Sequence, residues 1–562
     1  MTYLEKAQVW KNVKNLDPSL KKELEQMSDD ELKEAFGADL EFGTAGLRGI
    51  LGAGTNRMNI YLVRKATLGF GRYLAQFDNA FTRGVCIAHD NRRMSREFAL
   101  DSAHVLTKMG FHVYLFEDLR PTPELSFAVR ANHSIGGIMI TASHNPKEYN
   151  GYKVYNEEGC QLLPEEVSDV IHEINEVTDM FNVPLSEDNY GITFMGKEMD
   201  DLFISNDISV VKNKNYKKDF KITYTPLHGT GQVFIPQVLQ SLGYDVTPVA
   251  EQMTNDPEFS AVKTSNPENK SAFDEAIMLA DKIGAKVVLA TDPDADRLGV
   301  GCIHNGKWEL LTGNQSATLI FDYLIKMAHK ENKDLSNSYM FSTIVSSSLP
   351  VEIAKKANMK YKLSLTGFKY VGDNAKKIEG KSEYFFGYEE SYGCLVKDTV
   401  RDKDSLQACV LLCEVAAYYY EQGKDMVDAL EDIYKEYGFY KDSISNIVLE
   451  GLEGKKKINS AMDYFKTHDI KLNSFNIINK LNVADSTETN LVTGETVASD
   501  LPKSNVVKYD LEGGSWFVLR PSGTEPKLKV YYQMVGSTEE ECNKMMEKLQ
   551  EEVKAIVLPL TK

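Results

Sequence analysis

Nowhere in the 562 residues do two cysteines stand in a CxxC spacing, and their total is seven, an odd number. A disulfide framework is therefore not expected, and the thiols read as buried side chains of a reducing compartment. Cys409 and Cys413 share a helical face, for which core packing is the simpler account. Positive charge is the scarcer sign: 64 Lys plus Arg stand against 82 Asp plus Glu, a net charge of −18 with no basic block. Nucleic acid or an anionic membrane is thereby excluded as the main partner. Long apolar runs are absent too, since the most apolar helix, near VLLCEVAAYYY, is too short and too charged to span a bilayer. The opening MTYLEKAQVWKN lacks a basic stretch followed by an apolar one, so no secretory signal is expected and the cytoplasm is the expected location. No GxxxxGK[ST] occurs, which argues against a bound nucleotide as phosphate donor. No obligatory protein partner is evident.

What is present is ordinary globular composition, 42% hydrophobic and 26% charged, in a chain too long for one hydrophobic core. One local pattern recurs: an amphipathic helix ends at glycine and a β-branched strand begins at once. It is found at Gly110, Gly243 and Gly284, with Asn358 in a variant. Several such units in series imply α/β layers with largely parallel sheets. The C-terminal part differs. YDLEGGSWFVL reads as a hairpin, KLKVYYQMV as another strand, and Ser537 with Glu540 as a capping box opening a helix to about Val557. This predicts α+β. An acidic, irregular stretch around 186–207, the segment 305–311 and the region after Gln422 suggest boundaries, giving domains 1–205, 206–308, 309–422 and 423–562.

Chemistry concentrates in four loops. TASHNPKEYNGYKVY, from Thr141, follows the apolar run Ile138, Met139, Ile140, at a strand end where ligands gather in parallel sheets. A hydrolase triad fits poorly, because no GxSxG surrounds Ser143 and His144 is its chain neighbour. KVVLATDPDADR runs a buried strand into Asp292, Asp294 and Asp296, alternating acids that can converge on a hard divalent cation. An EF-hand would need Gly and Glu where Arg297 and Ile303 stand. Three crowded carboxylates would repel one another without a cation, and Mg²⁺ held by three protein ligands leaves room for a phosphate oxygen, which a phosphorylated Ser143 would supply. RPSGTEPK offers a guanidinium, hydroxyls and a glycine backbone to a phosphate. GYEESYG places Glu389, Glu390 and Ser391 at a strand end, where carboxylates and a hydroxyl suit sugar hydroxyls.

These four motifs, in this order and preceded by GTAGLRG at Gly43–Gly49, resemble the α-D-phosphohexomutase family, and within it the bacterial phosphoglucomutases of the phosphopentomutase-like branch. The resemblance spans nearly the whole chain. It implies three α/β domains with mixed, largely parallel sheets plus a C-terminal α+β domain around a central cleft, each supplying one loop. It implies interconversion of glucose 1-phosphate and glucose 6-phosphate, through a phosphoserine at Ser143 and a glucose 1,6-bisphosphate that also activates. Mg²⁺ would be held by Ser143, Asp292, Asp294 and Asp296. Arg48 and Arg297 would act as electrostatic clamps, while Lys369, Lys153 and His144 are candidates for proton transfer. Glu389 and Ser391 would grip sugar hydroxyls, and Arg520, Ser522, Gly523 and Thr524 the phosphate not reacting, with Arg401 in VRDKD assisting. The small partner is a phosphosugar. Many hexomutases carry a form nearer GExSGH, so Tyr388, Tyr392 and Gly393 leave substrate choice open, with pentose and mannose phosphates as alternatives. A dehalogenase-type phosphatase, using DPDAD as an aspartyl nucleophile, and a non-catalytic phosphosugar-binding protein are the more distant readings.

Overall fold

Left-handed residues close the helices where the sequence places them. The helix Ser95–Lys108 turns at Gly110 (φ +99°), Ile235–Ser241 at Gly243 (φ +89°) and Asp274–Ile283 at Gly284 (φ +72°), each with a strand next in the chain. Asn358 takes φ +53° after the helix Leu349–Lys356. A computed structural model describes residues 1–43, 46–449, 451–522 and 527–561. They form two compact units, one of Met1–Glu331, Asn337–Tyr339 and Gly367–Met426, the other of Asn332–Ser336, Met340–Thr366 and Val427–Lys562.

The first unit opens with three short helices, Tyr3–Lys11, Pro18–Gln26 and Asp29–Phe36, gathered on Trp10, whose ring meets Phe36, Tyr61 and Phe181 edge-on. Its first sheet comprises β1 (Leu47–Ile50), β2 (Val85–His89), β3 (Val113–Phe116), β4 (Gly136–Ile140), β5 (Tyr149–Asn156) and β6 (Ile192–Met195), in the order β1-β5-β4-β2-β3-β6. The strands from β4 to β6 run parallel, and β1 and β5 are antiparallel additions. Every residue of β2 and β4 is buried, as expected of parallel strands covered on both faces. Alternate side chains serve the two faces: Ile87 and Ile138 join the core beneath the helices Ile60–Leu74, Ser95–Lys108 and Pro164–Asn175, while Ala88 and Met139 pack on Thr122–Ala131.

The stretch 186–207 is more ordered than its acidity suggests. It supplies β6, parallel to β3, and most of the helix Lys197–Ile208, with Glu198 and Asp200 in its first turn, where the helix dipole favours acids. The segment 305–311 is likewise structured. The second sheet consists of β7 (Lys221–Thr225), β8 (Asp245–Pro248), β9 (Val287–Thr291), β10 (Leu298–His304) and β11 (Lys307–Leu311), in the order β11-β10-β9-β7-β8. Asn305 and Gly306, both at positive φ, make the two-residue hairpin turn between β10 and β11.

Two further strands, β12 (Ser338–Thr343) and β13 (Lys360–Ser364), precede β14 (Glu383–Glu389), which pairs antiparallel with β15 (Gly393–Leu395). The helix Ser405–Tyr420 packs on β15 and buries Cys409 and Cys413 completely. All seven cysteines are buried, and they form no disulfide. Among the described residues no helix is long and apolar enough to cross a membrane.

In the second unit, β16 (Phe439–Val448), β17 (Ile477–Asn482), β18 (Thr487–Asn490), β19 (Thr496–Ala498), β20 (Val507–Leu511), β21 (Trp516–Pro521) and β22 (Lys527–Gly536) form one antiparallel sheet. Gly513 and Gly514, at φ +83° and +86°, turn β20 into β21. The last helix, Glu539–Leu560, packs on β16 and β22. Its N-cap is Thr538, one residue later than the expected Ser537, and Ser537 instead donates its hydroxyl to Glu541 at 2.6 Å. Thr538 has the extended backbone that an N-cap needs, and its hydroxyl accepts the Glu541 N–H.

Candidate active site

β4 ends at Ile140 and β9 at Thr291, so the serine and acidic loops both leave the carboxyl ends of buried strands. Ser143 is held at φ +51°, its N–H donating to Thr141 Oγ1 at 2.8 Å. A non-glycine residue in that region is uncommon and marks a backbone fixed by its surroundings. From there the Ser143 hydroxyl donates to Asp292 Oδ2 at 2.9 Å and stands 3.2 Å from His144 Nδ1. Asp292 braces its own loop, Oδ1 accepting the N–H groups of Asp296 and Arg297 at 3.1 and 3.0 Å. The loop also needs Gly229: a Cβ there would lie 2.4 Å from Pro293 Cα.

Asp292, Asp294 and Asp296 bring one carboxylate oxygen each within 4.8 Å of the others, all three buried. Asp294 Oδ2 accepts from Thr122 Oγ1 and from Lys153 Nζ, both at 2.8 Å, and Asp296 Oδ2 faces Lys403 Nζ at 3.0 Å. Their other oxygens, Asp294 Oδ1 and Asp296 Oδ1, are buried without a hydrogen-bond partner. Burial and the two neighbouring carboxylates push Asp292 well up, whereas Lys153 holds Asp294 down against its burial. Three converging carboxylates, two of them with an orphaned oxygen, fit a divalent cation such as Mg²⁺, which would satisfy those oxygens and relieve the repulsion.

Cations surround the acids. Arg48, on β1, donates to Asn145 Oδ1 of the serine loop at 3.0 Å. Arg297 pairs with Glu268 at 2.8 Å and lies 3.7 Å from Asp296. Burial, with Arg297 and Arg48 nearby, holds the His144 imidazole well below its usual pKa, so the ring is neutral. At the end of β14, Glu389 accepts the Gly367 N–H at 2.6 Å, and Ser391 lies half-buried on the turn that follows. Lys369 begins the helix Lys369–Ile378, where burial lowers its ammonium to about 8. Tyr388 is fully buried and stacks on Phe386.

Arg401 is not brought to the acids. Its fully buried guanidinium pairs with Glu379 at 2.9 Å and Asp398 at 3.3 Å. Lys403 is there instead, a residue the sequence reading passed over, as it did Thr122. Sequence carried no signal for the choice: residues two apart would share a side in a regular strand, but VRDKD lies in irregular chain between Gly393–Leu395 and the helix Ser405–Tyr420, where no alternation applies. Gly393 makes room for Lys403, since a Cβ there would lie 2.0 Å from Lys403 Cδ. In the second unit Arg520 lies on β21 and donates to the Tyr531 hydroxyl at 3.3 Å, while the Ser522 N–H donates to the Lys527 carbonyl at 2.7 Å. Gly523 and Thr524 lie outside the described residues.

Four family descriptions match the chain in order: phosphoglucomutase/phosphomannomutase alpha/beta/alpha domain I over 39–180, domain II over 203–305, domain III over 312–437, and the C-terminal domain over 472–552. A phosphoglucomutase of Staphylococcus aureus strain RF122 is 39% identical over 529 residues, covering 92% of this chain and 94% of its own. That of strain MRSA252 is 39% identical over 532 residues, covering 93% and 94%. Among solved structures, the open form of pp63/parafusin, a phosphoglucomutase of Paramecium, superposes with a TM-score of 0.67 at 17% identity, over 92% of this chain and 95% of its own. A phosphoglucomutase/phosphomannomutase family protein of Burkholderia thailandensis gives 0.64 at 16% identity, over 91% and 96%. At such identities the likeness is one of fold.

Proposed function

The chain belongs to the phosphoglucomutase/phosphomannomutase family, and from that membership we propose that it interconverts glucose 1-phosphate and glucose 6-phosphate, with Ser143 as phosphoryl carrier and glucose 1,6-bisphosphate as intermediate and activator. The observation that supports this most directly is the Ser143 hydroxyl, 2.9 Å from Asp292 in a cluster of three buried acids with orphaned oxygens. Asp292, Asp294 and Asp296 would hold Mg²⁺, which when bound supplies positive charge against the transferring phosphoryl group.

The remaining chemistry belongs to side chains of the chain. As the phosphoryl group leaves Ser143 Oγ for a sugar hydroxyl, the P–Oγ bond breaks, the new O–P bond forms, and the hydroxyl proton needs an acceptor. Lys369, with its ammonium lowered to about 8 by burial, is able to exist neutral and take it. Lys403 is not, because Asp296 and Asp402 raise its pKa against its burial, so it acts as a fixed positive donor. Lys153, against Asp294, and the arginines Arg48 and Arg297 steady the charge in flight. Glu389 and Ser391 are assigned to sugar hydroxyls, and Arg520, Ser522, Gly523 and Thr524 to the phosphate that is not transferred. Seven buried thiols without a disulfide suit a reducing compartment, and the cytoplasm is the one proposed.

Peptide mass spectrometry of the purified chain should find a sub-stoichiometric phosphate on Ser143, and dephosphorylated enzyme should regain glucose 1-phosphate turnover when glucose 1,6-bisphosphate is added. Mannose and pentose phosphates form the other arms of the assay. Phosphate on Asp292 instead, or no turnover of any sugar phosphate, would overturn the reading. Arg520→Ala should raise the KM for glucose 1-phosphate by about tenfold to a hundredfold, as the loss of a charge-assisted pair predicts.

A further inference from the structure

β2 ends at His89, and three residues on lies Arg92, a residue with no part in the chemistry above. Its side chain is wholly buried, and its guanidinium is spent on the backbone of the serine loop. Nη2 donates to the carbonyls of Ser143 and Asn145 at 2.5 and 2.6 Å, and Nη1 to those of Pro146 and Tyr149 at 2.9 and 3.0 Å. Four carbonyls, three from the irregular run that begins at Ser143 and one from the first residue of β5, are thus gathered on one planar fork, which restricts how the backbone between them can rearrange.

We propose that Arg92 is a positioning residue for phosphoryl transfer: its fork fixes the left-handed conformation of Ser143 from which the hydroxyl reaches Asp292. The fork is itself fixed. Asp90 lies 3.2 Å from Arg92 Nε and accepts the Arg92 N–H at 2.9 Å and the Ser95 hydroxyl at 2.7 Å. The Asp90 N–H in turn donates to the Ile140 carbonyl at 3.0 Å, tying the assembly to the end of β4. The ring of Phe259 lies 5.2 Å from the guanidinium carbon. A lysine at this position would offer donors from one point and could not span four acceptors.

The inference rests on Ser143 as the phosphoryl carrier, so phosphate on Ser143 of the unaltered chain is measured first, and its absence counts against that assignment, not against Arg92. The full chain is then compared with Arg92→Lys, Arg92→Ala and Asp90→Asn, by melting temperature, by kcat and KM for glucose 1-phosphate, and by the rate at which glucose 1,6-bisphosphate phosphorylates Ser143. Misplacing the hydroxyl by about 1 Å should lower kcat and the phosphorylation rate by about a hundredfold in both Arg92 variants, with KM within about threefold. Asp90→Asn should fall in the same direction by a smaller factor. Added methylguanidinium should restore part of kcat to Arg92→Ala and none to Arg92→Lys, whose pocket is filled. If the Ala variant does not fold, Arg92→Lys and Asp90→Asn decide. A lower melting temperature with kcat and phosphorylation rate within twofold of the unaltered chain overturns the proposal.

Discussion

Two cations two residues apart in VRDKD have opposite fates, and their substitution should separate them. Lys403 faces Asp296 at 3.0 Å, so Lys403→Met should lower kcat per folded molecule by about a hundredfold to a thousandfold at saturating Mg²⁺. Gly393→Ala, which crowds the Lys403 stem, should do the same more weakly. Arg401 serves two partly exposed carboxylates that water can reclaim, so Arg401→Met should cost roughly 1–3 kcal/mol of stability and leave kcat per folded molecule unchanged. Lys369 offers a pH signature. Its ammonium loses its proton near 8, so a base role requires kcat/KM to rise along a limb centred there, and Lys369→Arg should remove the limb. The sequence named Arg401 and not Lys403 because type and spacing were visible while the side of the chain each cation faces was not.

Among elements, the helix Ser405–Tyr420 depends most on an unusual group. Asp404 caps it, Oδ1 accepting the N–H groups of Leu406 and Gln407, while Gln407 Nε2 bridges Asp404 Oδ2 to Asp207 Oδ1, both at 3.2 Å. Both acids are fully buried, and burial lifts Asp404 to about 6 and Asp207 well above its usual range, with buried Glu124 also nearby. A raised carboxyl binds its proton more tightly folded than unfolded. Its stabilising contribution is complete below about pH 4 and is lost as pH rises through 6 and beyond. Asp207→Asn, which removes the titration, should therefore stabilise the chain at pH 8 and match it near pH 4 in urea melts. Such a pair is illegible in sequence, because 200 residues separate Asp207 from Gln407. The glycine-ended helices were legible, since backbone sterics at Gly110, Gly243 and Gly284 act locally. The helix Lys197–Ile208 was not, because its acids resemble those of a loop until the dipole that favours them is in place.

At the scale of the molecule, the hydrogen-bonded pair proposed as the reaction centre belongs to two sheets: Ser143 follows β4 of the first and Asp292 follows β9 of the second. Their registry must hold to a fraction of an ångström, whereas each sheet needs only its own core. On heating, turnover should fail at a lower temperature than far-UV circular dichroism. Mg²⁺ should raise the inactivation midpoint by binding the folded site, and Asp294→Ala should abolish that dependence. Coincident loss of activity and ellipticity would refute this ordering. The same separation has a meaning for synthesis. Asp292 enters the chain 149 residues after Ser143, a delay of roughly 7–30 s on the ribosome. Until then the serine loop lacks the carboxylates it meets in the full chain, so, on the role proposed for Ser143, a chain cut before the second sheet should be a bystander to sugar phosphates and not a leaky phosphatase.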